Sequence, residues 1–160
     1  MSAPDQTFMS TVMGTLDGKG RVCIPAAYRQ ILAAQNTNGV YVCQCVAELA
    51  LEAFGSEIIQ TMRQRLAPYD PFFSPLHDDE ARAMIARTHL LPADEQGRVR
   101  LPDGLIAYAG LKDKVAFVGM SSKFQIWDAE RQAAIEAESL VRNRARYARE
   151  RAQQMGEGGA

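Results

Sequence analysis

The chain has 160 residues, 47% of them hydrophobic and 23% charged, with a formal net charge of −1; this fits one compact domain or two small intertwined ones, and no global basic field announces a nucleic-acid partner. Polar residues interrupt every apolar run within about ten positions, short of the roughly 20 a membrane span needs, and the N-terminus has no basic-then-apolar leader, so a cytoplasmic protein without a membrane partner is expected. The odd set of three cysteines, in a reducing compartment, argues against a disulfide framework.

In chain order, residues 1–7 are polar and read as a disordered leader. Residues 8–15 form a strand that runs into Leu16-Asp17-Gly18-Lys19-Gly20-Arg21-Val22-Cys23-Ile24-Pro25. There Asp17 bonds the backbone two residues on and Gly20 takes φ > 0, so a tight turn holds Arg21 at a rigid corner. Val22-Cys23-Ile24 then alternate as a short half-buried strand that Pro25 closes. A short helix over 26–32 follows, from which Arg29 projects, either as a solvated residue or as a phosphate contact. Strands over 40–46 and 49–51 precede an amphipathic helix over 52–66, with Phe54, Ile58, Ile59, Met62 and Leu66 on one side, which Pro68 ends.

A Pro-rich aromatic connector over 69–75 leads to a second helix running to about residue 88. Asp78, Asp79 and Glu80 enrich its first turn, where the helix dipole accounts for them better than acid–base chemistry does. Residues 89–94 are a strand entering Ala93-Asp94-Glu95-Gln96-Gly97-Arg98-Val99-Arg100-Leu101-Pro102, followed by a short helix over 103–109 and strands at 115–117 and 124–126. Trp127, the only tryptophan, reads as a core or interface anchor. The helix from 129 to about 151 carries Arg142, Arg144, Arg146, Arg149 and Arg151; the interspersed Glu136, Glu138 and Glu150 favour a solvated or partly frayed helix over a nucleic-acid arm.

Cys43 and Cys45 lie on one face of a strand and, with Cys23, read as buried structural thiols. A metal site would need four ligands, and the two histidines, His77 and His89, lie in or near a different helix, so neither a metal nor another cofactor is expected. No Ser-His-Asp or Cys-His set and no phosphate-cradling glycine loop appears, and the protein is read as not an enzyme.

The two corner segments are copies. Both read Asp-x-x-Gly-Arg-Val-x-aliphatic-Pro at a constant offset of 77, and the later strands align at an offset of 75. Each half is strand, turn, strand, short helix, strand, strand and longer helix; neither has enough strands for a covered sheet, so the two are expected to interlock around one core.

On these motifs, together with Ala109-Gly110-Leu111, Val118-Gly119 and Lys123-Phe124-Gln125-Ile126-Trp127-Asp128, the chain resembles the MraZ family of bacterial regulators, built from two SpoVT-AbrB repeats. The resemblance implies an α+β fold with a mainly β core, a pseudo-twofold swapped-hairpin (AbrB/MraZ-like double-split) β-barrel with flanking helices. Its repeats would span 8–54 and 89–128, with connecting helices at 55–88 and a C-terminal helix and flexible tail at 129–160. Met9-Ser10 replace the Arg-Gly that usually follows the phenylalanine here, so no contact by that arginine carries over. The function implied is a sequence-specific DNA-binding transcriptional regulator of the division and cell-wall gene cluster. It would be nucleoid-associated and act as a homo-oligomeric ring, for example an octamer, on short direct repeats of double-stranded DNA. Arg21 and Arg98 would meet DNA, Asp17 and Asp94 would hold the turns, and Lys19 would add charge where the second copy has Gln96, so that the first turn dominates affinity. Arg29 and Arg100 would be further phosphate contacts. On the residues alone, each arginine can instead simply pair with the aspartate four positions back. An antitoxin-like protein-interaction module of the same fold is the alternative.

Overall fold

The computed structural model describes residues 5–158; the first four residues of the expected leader and the last two of the expected tail lie outside them. The chain divides into two compact units, 1–128 and 129–160.

The first unit alternates short strands and helices: β1 (Thr11–Thr15), β2 (Arg21–Cys23), α1 (Ala26–Ala34), β3 (Val40–Gln44), β4 (Leu51–Phe54), α2 (Ser56–Leu66), α3 (Pro75–Ala83), β5 (His89–Leu91), β6 (Arg98–Arg100), α4 (Asp103–Ala109), β7 (Lys114–Gly119) and β8 (Phe124–Asp128). Six strands make one sheet in the order β1-β7-β8-β4-β3-β5, and β2 and β6 make a two-stranded ribbon. Every pairing is antiparallel.

Read inward from either edge, the six-stranded order places repeat-related strands at matching positions, and each repeat's first strand sits on the other repeat's later hairpin. Thr11 faces Val118 and Thr15 faces Lys114 across β1 and β7, while Val40 faces Leu91 across β3 and β5. The exchange supplies what two short hairpins lack alone, enough paired strands to cover a core. Repeat-related residues bury together there: Val22 with Val99, Ile24 with Leu101, Leu51 with Ile126. Each fully buried aliphatic of this size contributes roughly 1.5–3 kcal/mol.

The α+β class and the mainly antiparallel core agree with the sequence. The ladders, however, do not close into a barrel. β1 and β5 end the larger sheet, and only isolated bridges, Leu16 to Val22 and Ala93 to Val99, connect it to the ribbon. Pro25 and Pro102 follow the ribbon strands closely and cannot donate to a longer ladder.

Several elements differ from their sequence reading. Residues 52–54 continue the strand that holds Leu51 and do not start a helix: β4 is paired on both sides, by β3 and β8, and tertiary pairing overrides the helical spacing of Phe54, Ile58 and Met62. The helix begins only after Gly55. α3 starts at Pro75, capped by the Ser74 hydroxyl accepting from the His77 N–H at 3.3 Å, so of the three carboxylates only Asp78 lies in its first turn. Glu80 instead reaches Arg65 at 3.5 Å. The helix ends at Ala83, with a 3-10 turn at Ile85–Arg87.

Phe8, Tyr28 and Phe124 form an aromatic cluster with ring centroids 4.8–5.4 Å apart. The Tyr28 hydroxyl donates to the Ser10 carbonyl at 2.6 Å, and Ser10 has φ of 70°, the left-handed region that favours the glycine usual in the resembled pattern. Trp127 is buried, as expected of an anchor, with its Nε1–H donating to Gln125 Oε1 at 2.8 Å.

The second unit is a single helix, α5 (Ala129–Glu157), continuous beyond the expected end near residue 151. Its five arginines between 142 and 151 are exposed, and Arg146 lies over the Tyr147 ring at 5.0 Å. No described helix is long and apolar enough to cross a membrane.

Candidate nucleic-acid interface

The two Asp-x-x-Gly-Arg segments fold into the same corner, bond for bond. At the first, the Asp17 N–H donates to the Arg21 carbonyl and the Gly20 N–H to the Asp17 carbonyl, both at 3.0 Å. The Asp17 carboxylate accepts the Lys19 and Arg21 N–H groups at 2.9 Å each and Arg21 Nε–H at 2.8 Å. At the second, the Asp94 carboxylate accepts the Gln96 N–H at 3.0 Å, the Arg98 N–H at 2.8 Å and Arg98 Nε–H at 2.7 Å. Gly20 and Gly97 have φ of 77° and 79°, a conformation that a side chain resists.

The backbone N–H of the arginine, opposed by some desolvation and aided by its guanidinium, holds each aspartate below the ordinary carboxylate range. A carboxyl with a lowered folded-state pKa contributes its stabilisation above its unfolded value, near 4, and loses it as pH falls through the folded value. Both corners should therefore stay closed from neutral pH down to about pH 4 and loosen below it. Protection factors of the Lys19, Arg21, Gln96 and Arg98 amides, taken relative to the intrinsic exchange rate at each pH, should fall on acidification ahead of those of the core amides; protection that stays constant with pH would refute it.

The ribbon joins the corners. Arg21 lies opposite Arg100, Val22 opposite Val99 and Cys23 opposite Arg98. The ribbon is extended at both ends, where Leu101 N–H donates to the Gly20 carbonyl at 2.8 Å and Ile24 N–H to the Gly97 carbonyl at 3.0 Å. Each corner is thus tied to the other repeat's strand. Val22 and Val99 are buried, so the two-residue period places Arg21, Cys23, Arg98 and Arg100 together on the opposite, outward face. The Arg21 and Arg98 side chains are 28% and 39% exposed.

The pairing of each arginine with its own aspartate is real, but it engages Nε and leaves the two Nη groups outside the pair. At such exposure an ion pair is strongly screened by solvent, so it orients the guanidinium without committing it. The hydrogen bonding of the two guanidiniums differs: Arg98 Nη2 also donates to Gln96 Oε1 at 3.3 Å, whereas Lys19, at the matching position, cannot accept.

Other predicted residues lie elsewhere. Arg29 does not project freely: a Cβ at Gly97 would meet its Cδ at 2.5 Å and its Nη1 at 2.6 Å, so the side chain folds over the second corner, with Nε buried. Its counterpart 77 residues on, Ile106, reaches the first corner's Gly20 with its Cδ1 3.3 Å from the same built position. Neither bracing role was read from the sequence; the shared offset of the two residues was the available signal. Cys23, expected to be buried, is exposed on the ribbon, while Cys43 is half-buried and Cys45 buried. Burial raises the pKa of both latter thiols and keeps them protonated. Cys43 and Cys45 line an apolar cleft of about 360 Å³ beside Met62 and Met84. Among the described residues, no group of three His, Cys, Asp or Glu is placed to hold a metal ion.

Comparison with known proteins follows the same lines. A family model described as "MraZ protein, putative antitoxin-like" matches residues 84–155. A protein of Xanthobacter autotrophicus named transcriptional regulator MraZ is 40% identical over 137 residues, covering 86% of this chain and 87% of that protein. Proteins of the same name from Azorhizobium caulinodans (39% over 132 residues, 82% of this chain and 83% of that one) and Gluconacetobacter diazotrophicus (38% over 140, 86% and 88%) are similar over comparable lengths.

Proposed function

We propose that this chain, which belongs to the MraZ family, is a transcriptional regulator that binds double-stranded DNA sequence-specifically through the outward face of its β2–β6 ribbon. The observation that carries this reading is the ribbon itself: Arg21, Arg98 and Arg100 share one exposed face between two corners that hold their guanidiniums in preset orientations. A local basic face of this kind serves a protein of near-zero net charge, because phosphate neutralisation depends on local rather than total charge. Asp17 and Asp94 set the corners, and Lys19 adds a further cation at the first. Arg21 and Arg98 then meet guanine edges or phosphates.

In this reading residues 8–54 and 89–128 are the two SpoVT-AbrB repeats. The subunits form a homo-oligomeric ring that repeats the face along short direct repeats, so that weak single contacts add into avidity. The target is the division and cell-wall gene cluster, and the protein works in the cytoplasm at the nucleoid. A gel shift of the full chain on the duplex upstream of its own gene, against a scrambled duplex, tests the core of this, and native mass measurement tests the ring. Selective retardation is expected; equal or absent binding to both duplexes refutes sequence-specific recognition.

The words "antitoxin-like" in the matching family's description favour one second reading, a protein-interaction module of the same fold. It predicts a stoichiometric small partner in a pull-down with no DNA retained at moderate salt.

A further inference from the structure

The two ends of the ribbon are built alike but charged differently. At the 77-residue offset Gly18 becomes Glu95, Lys19 becomes Gln96 and Cys23 becomes Arg100. Because β2 and β6 run antiparallel, Arg100 of the second repeat lies across from Arg21 at the first corner, and Cys23 lies across from Arg98 at the second. Lys19, Arg21 and Arg100 thus gather at the first corner against Asp17 alone, while at the second Arg98, with Arg29 folded over Gly97, is balanced by Asp94 and Glu95.

The neighbouring loops extend the contrast. Leu16 N–H donates to the Asp113 carbonyl at 2.8 Å and Thr15 faces Lys114, which brings Lys112-Asp113-Lys114 beside the first corner. The corresponding segment of the other half, Thr37-Asn38-Gly39, carries no charge. Arg100 is exposed and makes no ion pair among the described residues. It also faces a second guanidinium directly across the strands, and like charges so placed destabilise a strand pair. Two opposed cations, one of them without a counter-ion, are favourable only when an anion lies between or above them.

We infer that Arg100, with Arg21 across the ribbon and Lys19 beside it, forms a phosphate clamp, so that the ribbon lies polarised on the duplex. The first corner is anchored on the sugar–phosphate backbone, and the second contributes little net electrostatic attraction. This rests on the DNA-binding reading above and adds an orientation to it. The clamp neutralises backbone charge and so acts on any sequence; each phosphate contact releases condensed counterions and steepens the fall of affinity with salt by about one power of concentration.

The test is a titration of the full chain on the upstream duplex and on a scrambled duplex over a series of salt concentrations, for the parent, Arg100→Ala, Arg100→Lys and Arg98→Ala. Arg100→Ala should weaken binding to both duplexes and flatten the log–log salt slope by about 1. Arg100→Lys should keep the slope, and Arg98→Ala should change it less than Arg100→Ala does. The melting temperature of Arg100→Ala should equal or exceed the parent's, because a like-charge opposition has been removed. If the parent binds and Arg100→Ala keeps both affinity and slope, the clamp is wrong while DNA binding stands. Equal slope changes in Arg98→Ala and Arg100→Ala, or a lower melting temperature in Arg100→Ala, also overturn it. A parent that binds neither duplex removes the reading on which the clamp rests.

Discussion

Arg21→Ala is expected to weaken binding to the upstream duplex by roughly 1–3 kcal/mol, about 5- to 150-fold in Kd, while the fold survives. Affinity should fall because the side chain stands on the outward face of the ribbon at its most positive end, held in one direction by Asp17 through Nε at 2.8 Å. A guanidinium preset in this way loses less rotamer freedom when it meets a guanine edge or a phosphate. The fold should survive because the backbone bonds of the corner, Asp17 N–H to Arg21 carbonyl and Gly20 N–H to Asp17 carbonyl, do not involve the side chain. What is lost in stability is only a solvent-screened surface ion pair. Anisotropy titration and thermal melting of the same sample separate the two effects. An unchanged Kd would remove Arg21 from the interface, and a collapsed melting temperature would make it a structural residue.

The second large effect is on stability. Gly39 has φ of 110°, and a Cβ there would lie 2.1 Å from the Leu91 carbonyl oxygen and 3.0 Å from Pro92 Cα, both backbone atoms. Gly39→Ala meets an unfavourable φ and a neighbour that cannot rotate away, so it is expected to cost roughly 2–5 kcal/mol. In a unit of this size that is a drop on the order of 10 °C in melting temperature. The damage falls where β5 of the second repeat is received by β3 of the first, at the end of the strand that leads into the Asp94 corner. A chemical or thermal melt reads it directly, and a parent-like melting temperature would show that the close approach of Gly39 to Leu91 is not tight in solution.

The corners were legible in the sequence because their physics is local: an aspartate bonding forward and a glycine at positive φ need no distant partner. The outward position of Cys23 is legible too, since a strand that buries Val22 and Ile24 must turn the residue between them away; the apolar character of a thiol points the other way, and strand position decides. What local pattern did not carry was pairing. Arg21 meets Arg100, and Thr11 meets Val118, only because the two halves exchange strands, and such partners follow from burial and topology that no window of sequence contains. Residues 52–54 show the same competition from the other side. Their spacing suits a helix, but a stretch hydrogen-bonded along both edges gains more as a central strand. The packing of Arg29 escapes local pattern for a related reason, because the Gly97 surface it covers belongs to the other repeat.

The exchange of first strands also bears on how the chain is made. β1 waits for β7, which lies more than a hundred residues further along, and translation at roughly 5–20 residues per second puts the interval on the order of 5–20 s. Until β7 is made, the apolar face of β1 has no partner strand to cover it and its edge is unpaired. A fold that gains its core by entwining two copies of one unit therefore cannot be completed until the second copy has been synthesised.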